Sequence, residues 1–151
     1  MKAEQLSLIH GILLIGLFFL SGPAAFAQRD SVDVWIFKLD NSQLRGTCHY
    51  AWTLELKEDA IAAAKLIAYG KPATKKLIKA LSDPGRNIVS HYILASVWGP
   101  LDIRTTHFDD IKITYQVTGI QFESINDRLN VAHDEAVRMR TYWKQRLRDG
   151  R

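Results

Sequence analysis

The sequence predicts a mainly helical α+β domain, in which two helical hairpins are followed by a β-hairpin and a long C-terminal helix. Ile36-x-x-Leu39 with His49-Tyr50 reappears 42 residues later as Ile78-x-x-Leu81 with His91-Tyr92. Self-similarity at such a period is typical of stacked helical repeats. Alternating apolar and polar residues, with a tight turn at Thr118-Gly119, predict a β-hairpin over residues 108–123. Apolar residues at intervals of three and four predict a helix over residues 127–148.

Residues 1–27 are predicted to be a secretory signal peptide. A basic start and a long apolar run precede the small-x-small site Ala25-Phe26-Ala27, so we expect cleavage before Gln28. The alternative is an uncleaved anchor, because the apolar stretch is nearly long enough to span a membrane. Glycine and proline interrupt that stretch, which favours cleavage. The prediction places residues 28–151, as a single domain, in the periplasm or outside the cell, without stable membrane insertion after cleavage.

Five helices are predicted in the first two thirds of the chain. Gly70 suits the position just past a helix end, where a left-handed residue is favoured. Pro72 suits a first helical turn, which needs no amide donor. The run up to Trp98 is apolar nearly all round, as a buried helix would be, and Gly99-Pro100 stops it. The predicted helices cover residues 32–39, 43–54, 58–69, 72–81 and 84–98.

Residues 60–98 resemble a HEAT-type repeat. The resemblance rests on the corner Gly70–Ala73, on the Leu-Ile-x-Ala-Leu helix Leu77–Leu81 and on the Asp83-Pro84 linker. The second apolar helix lacks the early Arg or Lys that is usual in that family. With the 42-residue offset, the resemblance implies that residues 32–98 form two HEAT-like hairpins. It also implies an extended helical surface of the kind that binds proteins.

Basic residues cluster in two parts of the chain, which carries 20 Lys and Arg against 16 Asp and Glu, a net charge of +4. Such clusters can attract anionic partners, although a solvated helix face is their ordinary explanation. We expect a protein partner and no nucleic acid. The possible contact surface comprises Lys71, Lys75, Lys76, Lys79, Arg138, Arg140 and Lys144.

The repeated histidines allow two interpretations. His49 and His91 would occupy equivalent positions in stacked repeats, so they could share a metal ion, with His133, Asp134 or Cys48 completing the site. Alternatively, each His-Tyr pair packs within a second helix, with the imidazole hydrogen-bonded to a neighbouring turn. The packing interpretation is favoured, because no short histidine spacing puts two ligands on one helix face. We therefore assign no metal and no cofactor, and expect Cys48, the single cysteine, to be buried in a helix.

No motif in the chain indicates catalysis. A glycine-rich phosphate loop, a Gly-x-Ser-x-Gly elbow, a Cys-x-x-Cys pair and a His-Glu-x-x-His sequence are all absent from the sequence. We therefore predict an exported, non-enzymatic protein-binding or scaffold module. The alternatives are a metal-dependent hydrolase that uses His49 and His91, and an inhibitor or immunity-type protein for an exported toxin.

Overall fold

The computed structural model describes residues 31–48, 51–108 and 112–150. Trp35 and the residues after it form one unit. The predicted cleavage site, Ala27 and Gln28, and the candidate ligand His49 lie outside the described residues.

Helices and strands are interleaved along the described chain. The helices are α1 (31–37), α2 (Ile61–Tyr69), α3 (Thr74–Ala80), α4 (Asn87–Trp98) and α5 (His133–Asp149), with 3-10 turns at Asn41–Gln43 and Lys71–Ala73. The strands are β1 (Leu44–Cys48), β2 (Trp52–Leu56), β3 (Ile103–Phe108), β4 (Lys112–Val117), β5 (Ile120–Ile125) and β6 (Arg128–Asn130).

The prediction of two helical hairpins is wrong, because β1 and β2 form an antiparallel hairpin where the second helix was expected. The register pairs Leu44 with Leu56 and Gly46 with Leu54, so these residues share one face of the hairpin. Leu44 and Leu54 are both buried there. Side chains alternate between the two faces of the paired strands, an arrangement that cannot be reproduced on a helix. The thiol of Cys48, at the end of β1, is accordingly exposed and not buried in a helix.

The helical prediction for residues 58–98 corresponds to α2, α3 and α4. Gly70 follows α2 with a φ of 78°, in the region that favours glycine. Pro72 lies in the 3-10 turn that leads into α3. Eight of the twelve residues of α4 are buried, as the nearly continuous apolar sequence predicts.

Asn41 joins the turn after α1 to the first turn of α4. Its side-chain oxygen accepts hydrogen bonds from the N–H groups of Ile88 and Val89, at 3.0 and 3.1 Å. Its side-chain amide donates to the Pro84 carbonyl at 2.8 Å and to the Asn87 side chain at 3.0 Å. No side chain of the adjoining N-cap residue caps α4. Asn41 therefore caps the N-terminus of α4, although it lies 46 positions before Asn87 in the sequence.

Replacing Asn41 by alanine is expected to destabilise the protein by about 2–3 kcal/mol, because two first-turn N–H groups and two acceptors lose their partner. Asn130→Ala is the matched control, since Asn130 is exposed and its side chain donates to the Arg128 carbonyl just two residues away. The free energy of unfolding of both variants is measured by urea denaturation, with tryptophan fluorescence as the signal. Equal losses for the two variants would contradict the capping role.

Where the sequence predicted a separate β-hairpin over residues 108–123, β4 and β5 are adjacent strands of a four-stranded sheet. The antiparallel order is β3-β4-β5-β6, with Tyr115 opposite Phe122 and Val117 opposite Ile120. Thr118 and Gly119 form the turn between β4 and β5, at φ values of 48° and 80°. Positive φ at both turn residues matches the right-handed twist of the strands.

The last helix is shorter than predicted, because residues 126–132 do not belong to it. Asn126 and Asp127 adopt positive φ values of 49° and 60° in a tight turn, and β6 follows. Helix α5 therefore begins at His133 and not at residue 127. Leu129, which fits the apolar spacing of the helix, lies opposite Ser124 in the sheet.

Candidate functional site

The buried imidazole of His91 connects α4 to the sheet and to α5. Its Nδ1 accepts a hydrogen bond from the Trp143 indole N–H at 2.7 Å. An indole nitrogen can only donate, so the ring proton lies on Nε2, which donates to the Val117 carbonyl at 2.8 Å. Burial lowers the pKa of His91 from 6.5 to about 4, although the bond to Val117 acts in the opposite direction. The ring is therefore neutral and rigidly held at neutral pH.

These bonds bear on the metal interpretation of the histidines. Both ring nitrogens of His91 are hydrogen-bonded inside the core, so His91 could coordinate a metal ion only if one of the two hydrogen bonds were broken. Among the described residues, no group of three or more His, Cys, Asp or Glu side chains could hold a metal ion.

A cleft lies beside this network, between the β4–β5 turn and α5. Its volume is about 670 Å³, within the range of small-molecule sites. Thr118, Gly119 and Ile120 form one wall. The other wall is one face of α5, with a lining residue at every third or fourth position: Arg138, Thr141, Tyr142, Gln145, Arg146 and Asp149.

Thr118 is the strained residue of the cleft. A β-branched side chain at a φ of 48° is rare, because its Cβ substituents crowd the backbone in the left-handed region. The backbone is held there by a hydrogen bond from the Thr118 N–H to the Asp102 carbonyl at 2.8 Å. Its hydroxyl is buried and finds no hydrogen-bond partner in the described part of the chain. Leaving such a group unpaired costs about 1–3 kcal/mol.

Arg146 is held on the opposite wall by two of its three nitrogens. Nη2 donates to the Trp98 carbonyl and Nη1 to the Tyr142 hydroxyl, both at 2.9 Å. The guanidinium carbon lies 5.9 Å from the Tyr142 and Trp143 ring centroids, within cation–π range. Nε is buried and, as far as the described residues reach, has no acceptor. The Thr118 hydroxyl and the Arg146 Nε are thus two unpaired donors among the described residues, and both atoms are buried rather than exposed to the cleft.

Arg138 provides a second guanidinium at the cleft. It donates to the Gly119 carbonyl and, at 2.6 Å, to Glu135 on the preceding turn of α5. More than half of its side chain stays exposed to solvent. The charged residues of the lining are therefore two arginines and Asp149, and the Glu135 carboxylate that pairs with Arg138 offsets the remaining positive charge.

The two predicted groups of basic residues lie on helices that touch. Helix α3 contacts α5. The ammonium group of Lys71 lies 4.6 Å from the Trp98 ring centroid, and the Trp98 indole donates to Thr74 at 2.8 Å. Because Arg146 bonds the Trp98 carbonyl, the start of α3 is linked to α5 through Trp98. Five of the predicted contact residues are exposed and two, Lys76 and Arg140, are partly buried; the exposed ones are Lys71, Lys75, Lys79, Arg138 and Lys144.

Of the nine residues that line the cleft, the sequence analysis named only Arg138 as a candidate contact residue, and Thr118, Tyr142 and Arg146 are among those it missed. It predicted the Thr118-Gly119 turn correctly, so a β-branched residue at the first turn position was the available signal for Thr118. Tyr142 and Arg146 carry no local signal, because their bond to each other and the bond to Trp98 depend on how α5 meets α4.

Comparisons with known proteins find no match among protein-family models, curated proteins or solved structures. The resemblance of residues 60–98 to a HEAT-type repeat therefore stays a prediction. No helix within residues 31–48, 51–108 and 112–150 is long and apolar enough to cross a membrane.

Proposed function

We propose that this protein is an exported, non-catalytic binding module that contacts an acidic protein partner. The contact surface is the basic surface predicted from the sequence, which comprises Lys71, Lys75, Lys76, Lys79, Arg138, Arg140 and Lys144. The observation that carries the proposal is the link through Trp98. It joins the two helical segments that carry the basic residues, and these segments are neighbours.

The charge of this surface indicates which kind of partner would bind to it. The three lysines of the α3 segment that are exposed come within nine residues of one another, and no Asp or Glu lies between residues 60 and 82. Like charges concentrated on one side of a protein raise the rate at which an oppositely charged partner associates, and salt weakens that attraction. An acidic protein in the same compartment is therefore the partner that this surface favours.

Reversing the charge of the basic surface is expected to abolish capture of the partner. The test variant carries Lys75→Glu, Lys79→Glu and Lys144→Glu, all at exposed positions. Affinity capture from the envelope of the producing cell, at low and at high salt, should recover one acidic protein with the unmodified bait at low salt only. We expect recovery by the variant to fall by roughly tenfold or more.

A control with the same net charge separates the surface from the overall charge. Lys38→Glu, Arg45→Glu and Arg128→Glu replace three exposed basic residues elsewhere on the protein. Each triple variant lowers the net charge by six, from +4 to −2. The control is expected to keep the partner. Equal losses in both variants, or capture of nucleic acid in place of a protein, would contradict the proposal.

A further inference from the structure

We infer that α5 is an acid-sensitive element of the fold. As the pH falls, an open form in which α5 is detached, while α4 and the sheet stay folded, becomes more populated relative to the closed form. Arg138, Arg140 and Lys144 move with α5, so the open form no longer presents the complete basic surface. This regulation of the surface rests on the function proposed above, whereas the detachment of α5 does not.

Helix α5 is packed into the core over one short stretch. Of its 17 residues only Met139 and Trp143 are buried, and these two lie one turn apart. Eight of the twelve residues of α4, by contrast, are buried. An element with few buried residues opens at a lower free energy than the core around it. We therefore expect α5 to open as a unit of its own.

The hydrogen bond between His91 and Trp143 is the polar contact of α5 that lies in the core. The Trp143 indole donates to the imidazole Nδ1 at 2.7 Å, and both side chains are buried. Glu135 and Arg138 bond to β5 and to the β4–β5 turn at the protein surface. Arg146 bonds to the end of α4 in a partly buried position. A proton taken up by His91 therefore acts on the buried contact of α5.

Protonation of His91 disrupts one side of the ring only. In the neutral ring, Nε2 donates to the Val117 carbonyl and Nδ1 accepts from Trp143. The protonated ring donates from both nitrogens, so the bond to the sheet persists, while the Nδ1–H and the indole N–H become two donors that face each other. Moving α5 away lets water reach the new N–H and its charge, which removes both the repulsion and the cost of burying the charge.

The strands bring no compensating charge to His91. The Phe122 ring of β5 packs against the imidazole at a centroid distance of 5.5 Å. Because side chains alternate along a strand, Lys112 and Glu123 lie on the opposite face of the sheet, where they pair with each other at 3.1 Å. Tyr115 shares the face of Phe122, and burial raises the pKa of this phenol, so it stays neutral in acid.

The helices around the imidazole carry mainly positive charge. The residues three positions on either side of Trp143 are both arginines, and the guanidinium carbon of Arg146 lies 5.9 Å from the indole centroid. Glu135, the partly buried carboxylate of α5, is paired with Arg138. Helices α2 and α3, which also pack on α4, contain lysines and no Asp or Glu. Burial therefore holds the pKa of the imidazole at about 4 in the closed form, against 6.5 for an unperturbed histidine.

The experiment measures amide hydrogen exchange of the unmodified protein by NMR at about pH 6.5 and about pH 4.5, with each rate corrected for the intrinsic pH dependence of exchange. Amides in the middle of α5 should be less protected than those of α4 by roughly tenfold or more at both pH values. Protection of α5 should fall by roughly fortyfold between them, which follows from pKa values of about 4 in the closed form and 6.5 in the open form. Equal protection of α4 and α5 would overturn the inference, because the two helices would then open together.

The indole N–H of Trp143 gives an independent reading in the same protein. Because it donates to His91 in the closed form only, it should lose protection together with the α5 amides. An indole N–H that stays protected while α5 exchanges faster in acid would contradict the inference, since the opening would then leave the His91 bond intact.

The variant His91→Gln assigns the effect to the imidazole. Glutamine offers an acceptor and a donor, as the neutral ring does, but takes up no proton. Protection of its α5 should therefore change by less than about threefold between the two pH values. Acid loss as large as in the unmodified protein, or no acid loss in the unmodified protein, would overturn the inference. Failure to capture a partner at neutral pH would refute only the function proposed above, because exchange is measured on the protein alone.

Discussion

Gly46→Ala is expected to destabilise the protein by about 3 kcal/mol, because the new methyl group has no room. A Cβ at this position would lie 2.1 Å from the Tyr115 hydroxyl oxygen and 3.3 Å from the ring carbon that bears it. Gly46 belongs to β1 and Tyr115, which is fully buried, belongs to β4, so neither strand can yield without disturbing the sheet it is paired in. The change is measured by urea unfolding, with the protein's tryptophans as the probe.

Removing the Tyr115 hydroxyl is expected to rescue the alanine. In a Tyr115→Phe background, the nearest remaining atom is the ring carbon at 3.3 Å, a tight contact that a small shift relieves. Tyr115→Phe alone should be close to neutral, because the hydroxyl is buried and is unpaired among the described residues. The double-mutant cycle should therefore give a coupling energy of about 2 kcal/mol. If Gly46→Ala costs the same in both backgrounds, the Tyr115 hydroxyl is not what excludes a side chain at position 46.

The second large effect is a loss of stability in mild acid, caused by His91. In the folded protein the pKa of His91 is about 4, against 6.5 for an unperturbed side chain. As the pH falls, His91 therefore gains a proton in the unfolded state before it does so in the folded state. The contribution of neutral His91 to the free energy of unfolding is complete above pH 6.5. It is lost as the pH falls from 6.5 through about 4, by up to about 1.4 kcal/mol for each pH unit and about 3 kcal/mol in all.

The hydrogen bonds of His91 explain the direction of this effect. Protonation would place a second N–H at Nδ1, opposite the Trp143 indole N–H that this nitrogen accepts from at 2.7 Å. It would also place an unpaired charge in the core, where the imidazole is fully buried. Folding is therefore coupled to the release of a proton between these two pH values.

Comparison of two histidine variants assigns the acid transition. His91→Gln cannot ionise, so it should be less stable than the original protein at pH 7 yet lose much less stability between pH 6.5 and 4. His133→Gln, at an exposed position, is the control for the substitution itself and should leave the stability at pH 7 unchanged. Thermal melts at half-unit pH intervals provide the measurement. A His91→Gln variant that loses stability in acid as steeply as the original would assign the transition to other groups.

Sequence patterns predicted those elements whose boundaries depend on local chemistry. The stop at Gly70 and the proline at the start of the next helix act through the backbone conformation of single residues. The nearly continuous apolar run of α4 and the Thr118-Gly119 turn are equally local signals. At Gly70, at Pro72 and along α4 the preferred conformation of the residue and the demand of the fold agree, so no tertiary information was needed. In the turn this holds for Gly119 only, because Thr118 is strained at a φ of 48°.

The region from residue 44 to residue 56 shows where such patterns fail. The 42-residue offset favoured a helix, and a short apolar segment does not distinguish a buried strand from a buried helix. The turns of the two related segments do meet, since Asn41 caps the helix that follows Pro84. The turns that follow Leu39 and Leu81 therefore form one contact with each other and do not belong to two equivalent hairpins.

The sequence alone determined the helical segments between residues 61 and 98, the β4–β5 hairpin and the basic character of α3 and α5, because propensity, turn residues and charge are properties of neighbours along the chain. Only the tertiary structure decided that residues 44–56 form strands, that His91 is a neutral core residue, and that Thr118 and Arg146 face one cleft. Each of these depends on side chains that are distant in sequence: Gly46 accommodates Tyr115, and Trp143 determines the tautomer of His91.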